Sequence, residues 1–239
     1  MPLAVERNAS LKALNSFGVE ARAAFFARVH SAAALGELLG AAPYAGLPRL
    51  VLGGGSNVLL TRDFDGLAVK IEVPGLRAAG ETDEAWLYEV GAGENWHGVV
   101  ERLLAMDRPG LENLALIPGS TGAAPIQNIG AYGLELAERL HSVTTWDVDS
   151  ARVAEMPLAD CGFGYRDSVF KRELAAKRIV LAVTLALPKR WEPIAGYTDV
   201  ANDLKARGVA RPGARDIYDA VVAIRRRKLP DPAAIGNAG

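Results

Sequence analysis

The stretch Gly110–Gly133 reads GLENLALIPGSTGAAPIQNIGAYG. It follows neither the helical nor the strand period. Pro118 and Pro125 forbid a continuous helix and interrupt any strand. Gly119, Gly122, Gly130 and Gly133 let the backbone approach a ligand closely and reach positive φ. Ser120, Thr121, Gln127 and Asn128 supply polar groups between them. Leu111, Leu114, Leu116, Ile117, Ile126 and Ile129 make the stretch too apolar to stay disordered. A long irregular segment of this kind inside a compact domain reads as a buried loop that cradles a ligand.

The chain around it has 239 residues, half of them hydrophobic, a net charge of -1 and a pI near 6.3. That suits one large domain or two modest ones with a substantial core. The charge balance lacks the basic excess of nucleic-acid or anionic-membrane binders, so neither partner is expected. Cys161 is the single cysteine, which excludes an internal disulfide and a cysteine-based metal site; a small hydrophobe is its simplest reading. His30, His97 and His141 are scattered without metal-ligand spacing, and no metal is expected. The start, MPLAVERNASLK, has no apolar core after a basic segment, and no run of about 18 uncharged apolar residues occurs. The expectation is a cytoplasmic protein.

Residues 8–20 are polar and turn-rich, and 31–41 read as a short helix with Ser31 at its N-cap. Leu50–Leu52 form a short strand, Gly53–Asn57 a glycine turn, and Val58–Leu60 a following strand. Residues 67–73 alternate as a strand, and the polar segment 74–84 reads as a linker. A strand is expected over 86–92, a helix over 95–107, and strands over 141–148 and 178–187. A last helix runs from Asp216, as N-cap, to Lys228, with Pro230 as its stop. Strands outnumber helices and do not alternate with them regularly, which indicates an α+β fold.

Gly53–Val58, GGGSNV, directly follows a strand. Successive N–H groups in such a turn form an anion nest that suits a diphosphate, and a tight structural turn fits the residues equally well. It is neither a Walker A loop nor a GxGxxG fingerprint. Paired with the second glycine loop at 118–133, it points to an extended phosphate-bearing ligand such as a dinucleotide. In Tyr165-Arg166-Asp167-Ser168, Arg166 reads as a two-pronged carboxylate clamp or as half of an Arg–Asp surface pair, the commoner case. Arg225-Arg226-Arg227-Lys228 complements the helix dipole or binds phosphate. Tyr197 by itself is an ordinary loop tyrosine.

Taken in order, Asn15–Gly18, Leu52–Leu59, Gly91–Trp96, Gly110–Gly133, Gly164–Ser168, Lys228–Pro232 and Gly236–Gly239 resemble the UDP-N-acetylenolpyruvoylglucosamine reductase family of flavoenzymes. The segment around Tyr197 resembles the subgroup with a tyrosine-bearing loop over the substrate. The resemblance implies the two-domain FAD-binding fold of the vanillyl-alcohol-oxidase-like (PCMH-type) flavoproteins, divided into FAD-binding subdomains at 1–76 and 77–239. It implies noncovalent FAD held by Gly53, Gly54, Gly55, Ser56, Asn57, Val58 and Leu59 of the first loop. From the second loop come Pro118, Gly119, Ser120, Thr121, Gly122, Gln127, Asn128, Gly130 and Ala131, with Arg225 near the flavin pyrimidine.

NADPH is then the reductant, and UDP-N-acetylglucosamine enolpyruvate takes hydride at its vinyl carbon and a proton beside its carboxylate. Arg166 becomes the catalytic group that stabilises charge on that carboxylate. Tyr132, Tyr165, Tyr197 and Lys228 become substrate-side residues, and the protein is expected to act as a monomer. In the family a proton-donating serine follows Gly-Asn-Ala-Gly, and a substrate-binding domain with a late glutamate lies beyond it. The sequence ends at Gly239, so an FAD-binding part lacking that domain is expected. The alternatives are a non-catalytic flavin-binding module and another flavin oxidase of the same fold.

Overall fold

The computed structural model describes residues 3–229. Pro230–Pro232 and Gly236–Gly239 of the sequence motifs lie outside the described residues. Two sheets carry the chain. The first has strand order β1-β2-β4-β3, from β1 (Val5–Ser10), β2 (Arg22–Val29), β3 (Arg49–Leu52) and β4 (Phe64–Ile71). β1 pairs antiparallel with β2, whereas β4 lies parallel to both β2 and β3. Helix α1 (Ala32–Gly40) follows β2, with the Ser31 hydroxyl accepting from the Ala34 N–H at 3.1 Å as an N-cap.

The second sheet is antiparallel, ordered β10-β9-β11-β6-β5, from β5 (Leu76–Glu81), β6 (Ala85–Gly91), β9 (Leu140–Asp147), β10 (Arg152–Pro157) and β11 (Arg178–Pro188). Between β6 and β9 come helix α2 (Trp96–Ala105) and a minimal hairpin of β7 (Gly130–Ala131) and β8 (Leu134–Glu135). Helices α3 (Thr198–Ala206) and α4 (Ala214–Lys228) close the described chain, and α4 packs on the 3₁₀ turn Glu112–Leu114. Among the described residues no helix is long and apolar enough to cross a membrane.

The core explains the architecture. β11 is buried on both faces, Ile179 through Leu185 without a break, as the central strand of its sheet with the 3₁₀ segments Thr121–Gln127 and Leu136–Arg139 packed on it. Trp146 of β9 reaches α1, where its ring fills the space beside Gly36, so the first helix rests on the second sheet. A smaller cluster of Leu11, Leu14, Phe26, Leu52 and Leu60 fills the far side of the first sheet.

Four readings change in the structure. β5 occupies the segment read as a linker; as an edge strand it pairs on one side only and stays exposed, so its residues carry no apolar alternation. Val58–Leu60 form no strand, since β3 leads through an irregular segment to its parallel neighbour β4 and Leu59 is 63% exposed. β1 ends only at Ser10, within the segment read as turns, and is again a mostly exposed edge. Asp216 is not the N-cap of α4: Gly213 is, and the Asp216 carboxylate accepts the Gly213 N–H at 2.9 Å from one turn inside the helix.

Cys161 is fully buried, and burial, then the Asp160 charge, pushes its thiol up to about 11. That suits a packed hydrophobe and not a nucleophile. Trp96 is the largest fully buried side chain, and its indole N–H donates to the Leu114 carbonyl at 2.9 Å. Trp96→Phe leaves that carbonyl buried without a donor, which costs about 1–3 kcal/mol. The expected result is a urea midpoint lowered accordingly with an unchanged slope.

Candidate functional site

The two glycine loops meet backbone to backbone. A Cβ placed on Gly54 would lie 2.7 Å from the Gly119 Cα, and Gly119 itself sits at φ 116°. Gly55, at φ 67°, leaves no space for a side chain, because a Cβ there would lie 1.9 Å from the Leu14 carbonyl oxygen. Side chains tie the crossing together: Ser56 Oγ donates to the Pro118 carbonyl at 3.3 Å, and Asn57 Nδ2 to Gln127 Oε1 at 3.1 Å. The Asn15–Gly18 segment backs the first turn, with the Ser16 N–H donating to the Gly55 carbonyl at 3.0 Å.

The segment entering α2 frames the second loop. Its backbone accepts the Gly122 N–H at Ala92 and the Thr121 N–H at Glu94, at 2.9 and 2.8 Å, and the Trp96 N–H donates to the Gly119 carbonyl at 3.1 Å. His97 Nδ1 accepts the Leu116 N–H at 3.1 Å, holding Leu116 in the left-handed region at φ 57°. The other ring nitrogen, Nε2, lies 3.6 Å from Glu101 Oε1, and the ring stacks on Tyr218 of α4.

Around the crossing lies a cavity of about 480 Å³, within the range of ligand sites. Of the expected cofactor residues, Gly53, Gly54, Gly55, Ser56, Asn57, Val58, Pro118, Ser120, Gln127, Gly130 and Arg225 line it, as does Arg166. Gly119 stands at the crossing itself, and Gly122 lines a second cavity that shares Gly53 and Ser120 with the first. Thr121 and Asn128 are buried and occupied: the Thr121 hydroxyl bonds the Glu94 carbonyl, and the Asn128 amide bonds Glu135, Gly164 and Ala137. Ala131 lies in the β7 strand, and Leu59 faces away into solvent.

Arg166 resolves between its two readings. Asp167 pairs with Arg172, not with Arg166. Arg166, at φ 53° in a tight turn closed by Gly164 and Asp167, donates from Nη2 to the Gly130 carbonyl at 2.6 Å and borders the cavity. Among the described residues nothing else accepts from its guanidinium, which keeps further donors for an anion. Tyr165, 83% exposed, lies with its ring 5.6 Å from the guanidinium carbon.

The remaining expected substrate residues gather at the start of α3. Tyr132 and Gly133 form the two-residue tip of the β7–β8 hairpin, both at positive φ as a type I′ turn requires. Tyr132 meets Tyr197 edge to face at 5.2 Å. Lys228 pairs with Asp199 at 2.6 Å. Arg225 is half-buried beside Tyr132; burial pulls its guanidinium below the ordinary value, and the phenol opposes that shift.

The residues present fit an extended anionic cofactor. Ser120 Oγ, Arg225 Nε and Arg178 Nη1 are buried without a hydrogen-bond partner among the described residues, and all three side chains line the joined cavities. Sequence reasoning missed the apolar walls, Ile117, Ala123, Ile126 and Ile129, and the framing residues Trp96 and His97. The isoleucines stand in the quoted stretch but read as ordinary core. Among the described residues no group of histidine, cysteine and carboxylate side chains is placed to hold a metal ion.

Comparison with known proteins agrees with this geometry. The FAD binding domain family matches residues 23–155, more than half of the chain. The solved UDP-N-acetylenolpyruvylglucosamine reductase of Thermus caldophilus superposes with a TM-score of 0.64 at 24% identity, over 88% of this chain and 71% of that one. The Physcomitrella patens BBE-like 1 protein superposes with a TM-score of 0.57 at 17% identity, over 77% and 41%. Fold and family match together define a flavoprotein built on the FAD-binding fold of the PCMH type.

Among curated relatives, the UDP-N-acetylenolpyruvoylglucosamine reductase of Azoarcus sp. (strain BH72) is 54% identical over the whole chain, which spans 70% of that protein. That of Burkholderia mallei (strain NCTC 10229) is 56% identical over 96% of the chain and 67% of its own length. The chain belongs to the UDP-N-acetylenolpyruvoylglucosamine reductase family.

Two outcomes follow from the loop geometry. Gly54→Ala forces the loops apart at the crossing, so flavin affinity falls at least about tenfold, a loss of 1.4 kcal/mol, while the chain stays folded; fluorescence titration of the stripped protein measures it. His97 is held below its ordinary 6.5 by burial, with Glu101 opposing and Arg226 and Arg225 adding to the shift. The unfolded chain therefore takes up this proton before the folded one does, and stability falls as pH drops below about 6.5. Denaturation across that range measures the slope, and His97→Gln reduces it.

Proposed function

We propose that this chain binds FAD noncovalently, between subdomains 1–76 and 77–239, and carries the flavin chemistry of UDP-N-acetylenolpyruvoylglucosamine reduction. The product of that reaction is UDP-N-acetylmuramate, a peptidoglycan precursor, and the setting is a monomeric cytoplasmic enzyme. The observation that carries the reading is the liberation of Arg166: its neighbour Asp167 is taken by Arg172, and its guanidinium stands at the edge of a cavity built by two glycine loops. FAD, when bound, supplies the relay by which hydride from NADPH reaches the substrate's vinyl carbon.

The chain's own residues do the rest. Gly53–Leu59 and Pro118–Gly122, with Gln127, Asn128, Gly130 and Ala131, shape the cradle, and the first glycine turn offers backbone N–H groups to the diphosphate, those of Thr121 and Gly122 being held by Glu94 and Ala92. Ser120 Oγ, buried and unpartnered at the junction of the two cavities, is placed to add a side-chain bond there. Arg225 places positive charge on the cavity wall, where it favours a cofactor gaining negative charge. Arg166 meets the substrate carboxylate and stabilises the enediolate-like charge that builds on it. Its bond to the Gly130 carbonyl fixes the guanidinium before the substrate arrives, so little reorganisation is required.

Tyr132, Tyr165, Tyr197 and Lys228 bind the remainder of the substrate, with phenol groups and one ammonium that suit a sugar diphosphate. Asp199 takes one of the three donors of the Lys228 ammonium, which leaves the others for an anionic ligand.

Anaerobic titration separates catalyst from inert flavin module: NADPH bleaches the flavin of a catalyst and leaves that of an inert module oxidised. For Arg166→Ala, FAD retention and bleaching by NADPH are unchanged. The affinity of the enolpyruvyl substrate, read from its perturbation of the flavin spectrum, falls about tenfold to a hundredfold, as expected for a lost charge-assisted bond of roughly 1.5–3 kcal/mol. An unaltered substrate titration refutes the role of Arg166.

A further inference from the structure

The second cavity, about 290 Å³, lies behind the glycine crossing and continues from the first, because Val51, Gly53, Ser120, Ala123 and Ile126 form the wall between them. It holds roughly ten times the ~30 Å³ share of one water, so it suits an organic group better than solvent. Its walls are chiefly apolar: Leu50, Ile71, Phe170, Ile179 and Val180 face into it. Into the same space come two cations, Arg178, the first residue of β11, and Arg49, the first residue of β3.

Arg178 has an unusual charge arrangement. It stands directly opposite Asp147 across the β9–β11 ladder, and its Nη2 lies 2.9 Å from Asp147 Oδ2. The other carboxylate oxygen, Oδ1, accepts the backbone N–H groups of Asp149 and Ser150 at 2.9 and 3.1 Å, so the carboxylate is fixed in place. These bonds, the Ser150 one foremost, together with Arg178, hold the Asp147 carboxyl below its ordinary value and keep it charged. The pair is thereby neutral as a unit. Nη1, the other arm of the guanidinium, is buried and has no partner among the described residues. A buried N–H without an acceptor is costly, and a bound group that accepts from it recovers that cost.

A free donor on a neutralised cation, set in an apolar wall, selects a particular chemistry. At Arg178 a phosphate would gain little from a charge already cancelled by Asp147 and would lose its hydration against Ile71 and Phe170, whereas Arg49 stands on the other strand that lines the cavity. A flat heteroaromatic base gains from the same walls by burial and offers neutral ring-nitrogen acceptors in its plane. The guanidinium is planar and rigid, which suits a directed contact with such an edge. We propose that Arg178 is a specificity-determining residue for the cofactor, donating from Nη1 to a ring nitrogen of the purine and so selecting FAD over a flavin that lacks the nucleotide half. The inference rests on the FAD reading above and assigns a role to a residue outside both glycine loops.

The test compares FAD with flavin mononucleotide on the flavin-stripped chain, in the unaltered protein, Arg178→Leu and Asp147→Asn. Thermal unfolding confirms that each variant is folded. In Arg178→Leu the affinity for FAD falls about tenfold or more, while that for flavin mononucleotide stays the same. Asp147→Asn, which removes the anion but keeps the donor, retains the preference for FAD.

Three results overturn the proposal. Equal losses for both flavins in Arg178→Leu mean that the residue supports the fold rather than the purine. An equal loss of FAD preference in Asp147→Asn means that the ion pair sets strand register rather than presenting a donor. Unchanged affinities in Arg178→Leu mean that the donor is unused. Should the unaltered chain bind no FAD, the cofactor reading fails along with the proposal; FAD binding with no discrimination by Arg178 leaves that reading standing and removes only the residue's role.

Discussion

The contact between Gly54 and Gly119 is the constraint on which the site depends. Two backbones pass at a distance that no side chain tolerates, one in the loop that leaves β3 and the other in the segment between α2 and β7. Because they touch, the nest of the first loop and the turns of the second become one surface, and the space on either side becomes two cavities with a common wall. The supporting bonds follow. Ser16 fixes the first loop from below, and the Ala92–His97 segment fixes the second from the side. Most of these are backbone bonds, so the crossing depends on chain path more than on any one polar side chain.

The second sheet shows why that path is stable. Ile179, Leu181, Val183, Leu185 and Leu187 alternate in the sequence as one apolar face of β11, but Val180, Ala182 and Thr184 between them are buried too, so the strand anchors what is laid upon it on both faces. The 3₁₀ turn Glu112–Leu114 sits between α2 and α4, with Trp96 bonded to its last carbonyl. His97 continues that arrangement one residue on, joining the Leu116 backbone to Tyr218 of α4, the helix that carries Arg225. The cradle and the cation on the cavity wall are thus connected through one helix.

The residues that were legible in the sequence are those with a strong local signature. The glycine turn at Gly53–Asn57, the Ser31 cap, the α2 helix and the β11 run all announce themselves through composition or period. The edge strands did not, because β1 and β5 are exposed and need no apolar alternation to pair on one side. Asp216 was mistaken for a cap because its carboxylate does cap α4, but from the third helical position, which composition alone does not distinguish. Arg166 was ambiguous for a different reason. Whether an arginine is spent on an adjacent aspartate depends on what else that aspartate meets, and Arg172 reaches Asp167 only because the chain folds back after Phe170.

That last point extends to the basic residues as a group. Arg166, Arg178 and Arg225 border the same pair of cavities as Arg49, yet these three enter with different electrostatic character. Arg166 has lost its acidic neighbour to Arg172 and keeps an uncompensated charge beside open space. Arg178 is cancelled by Asp147 and retains only a directed donor. Arg225 is half-buried next to a phenol and lacks a carboxylate partner among the described residues, so its charge reaches the cavity through a poorly solvated wall. The two cavities therefore present an anionic ligand with different chemistry, a free cation at Arg166 and a neutralised donor at Arg178. The placement of two aspartates, Asp147 and Asp167, sets that difference: move either carboxylate to another arginine, and the two cavities lose the electrostatic asymmetry between them.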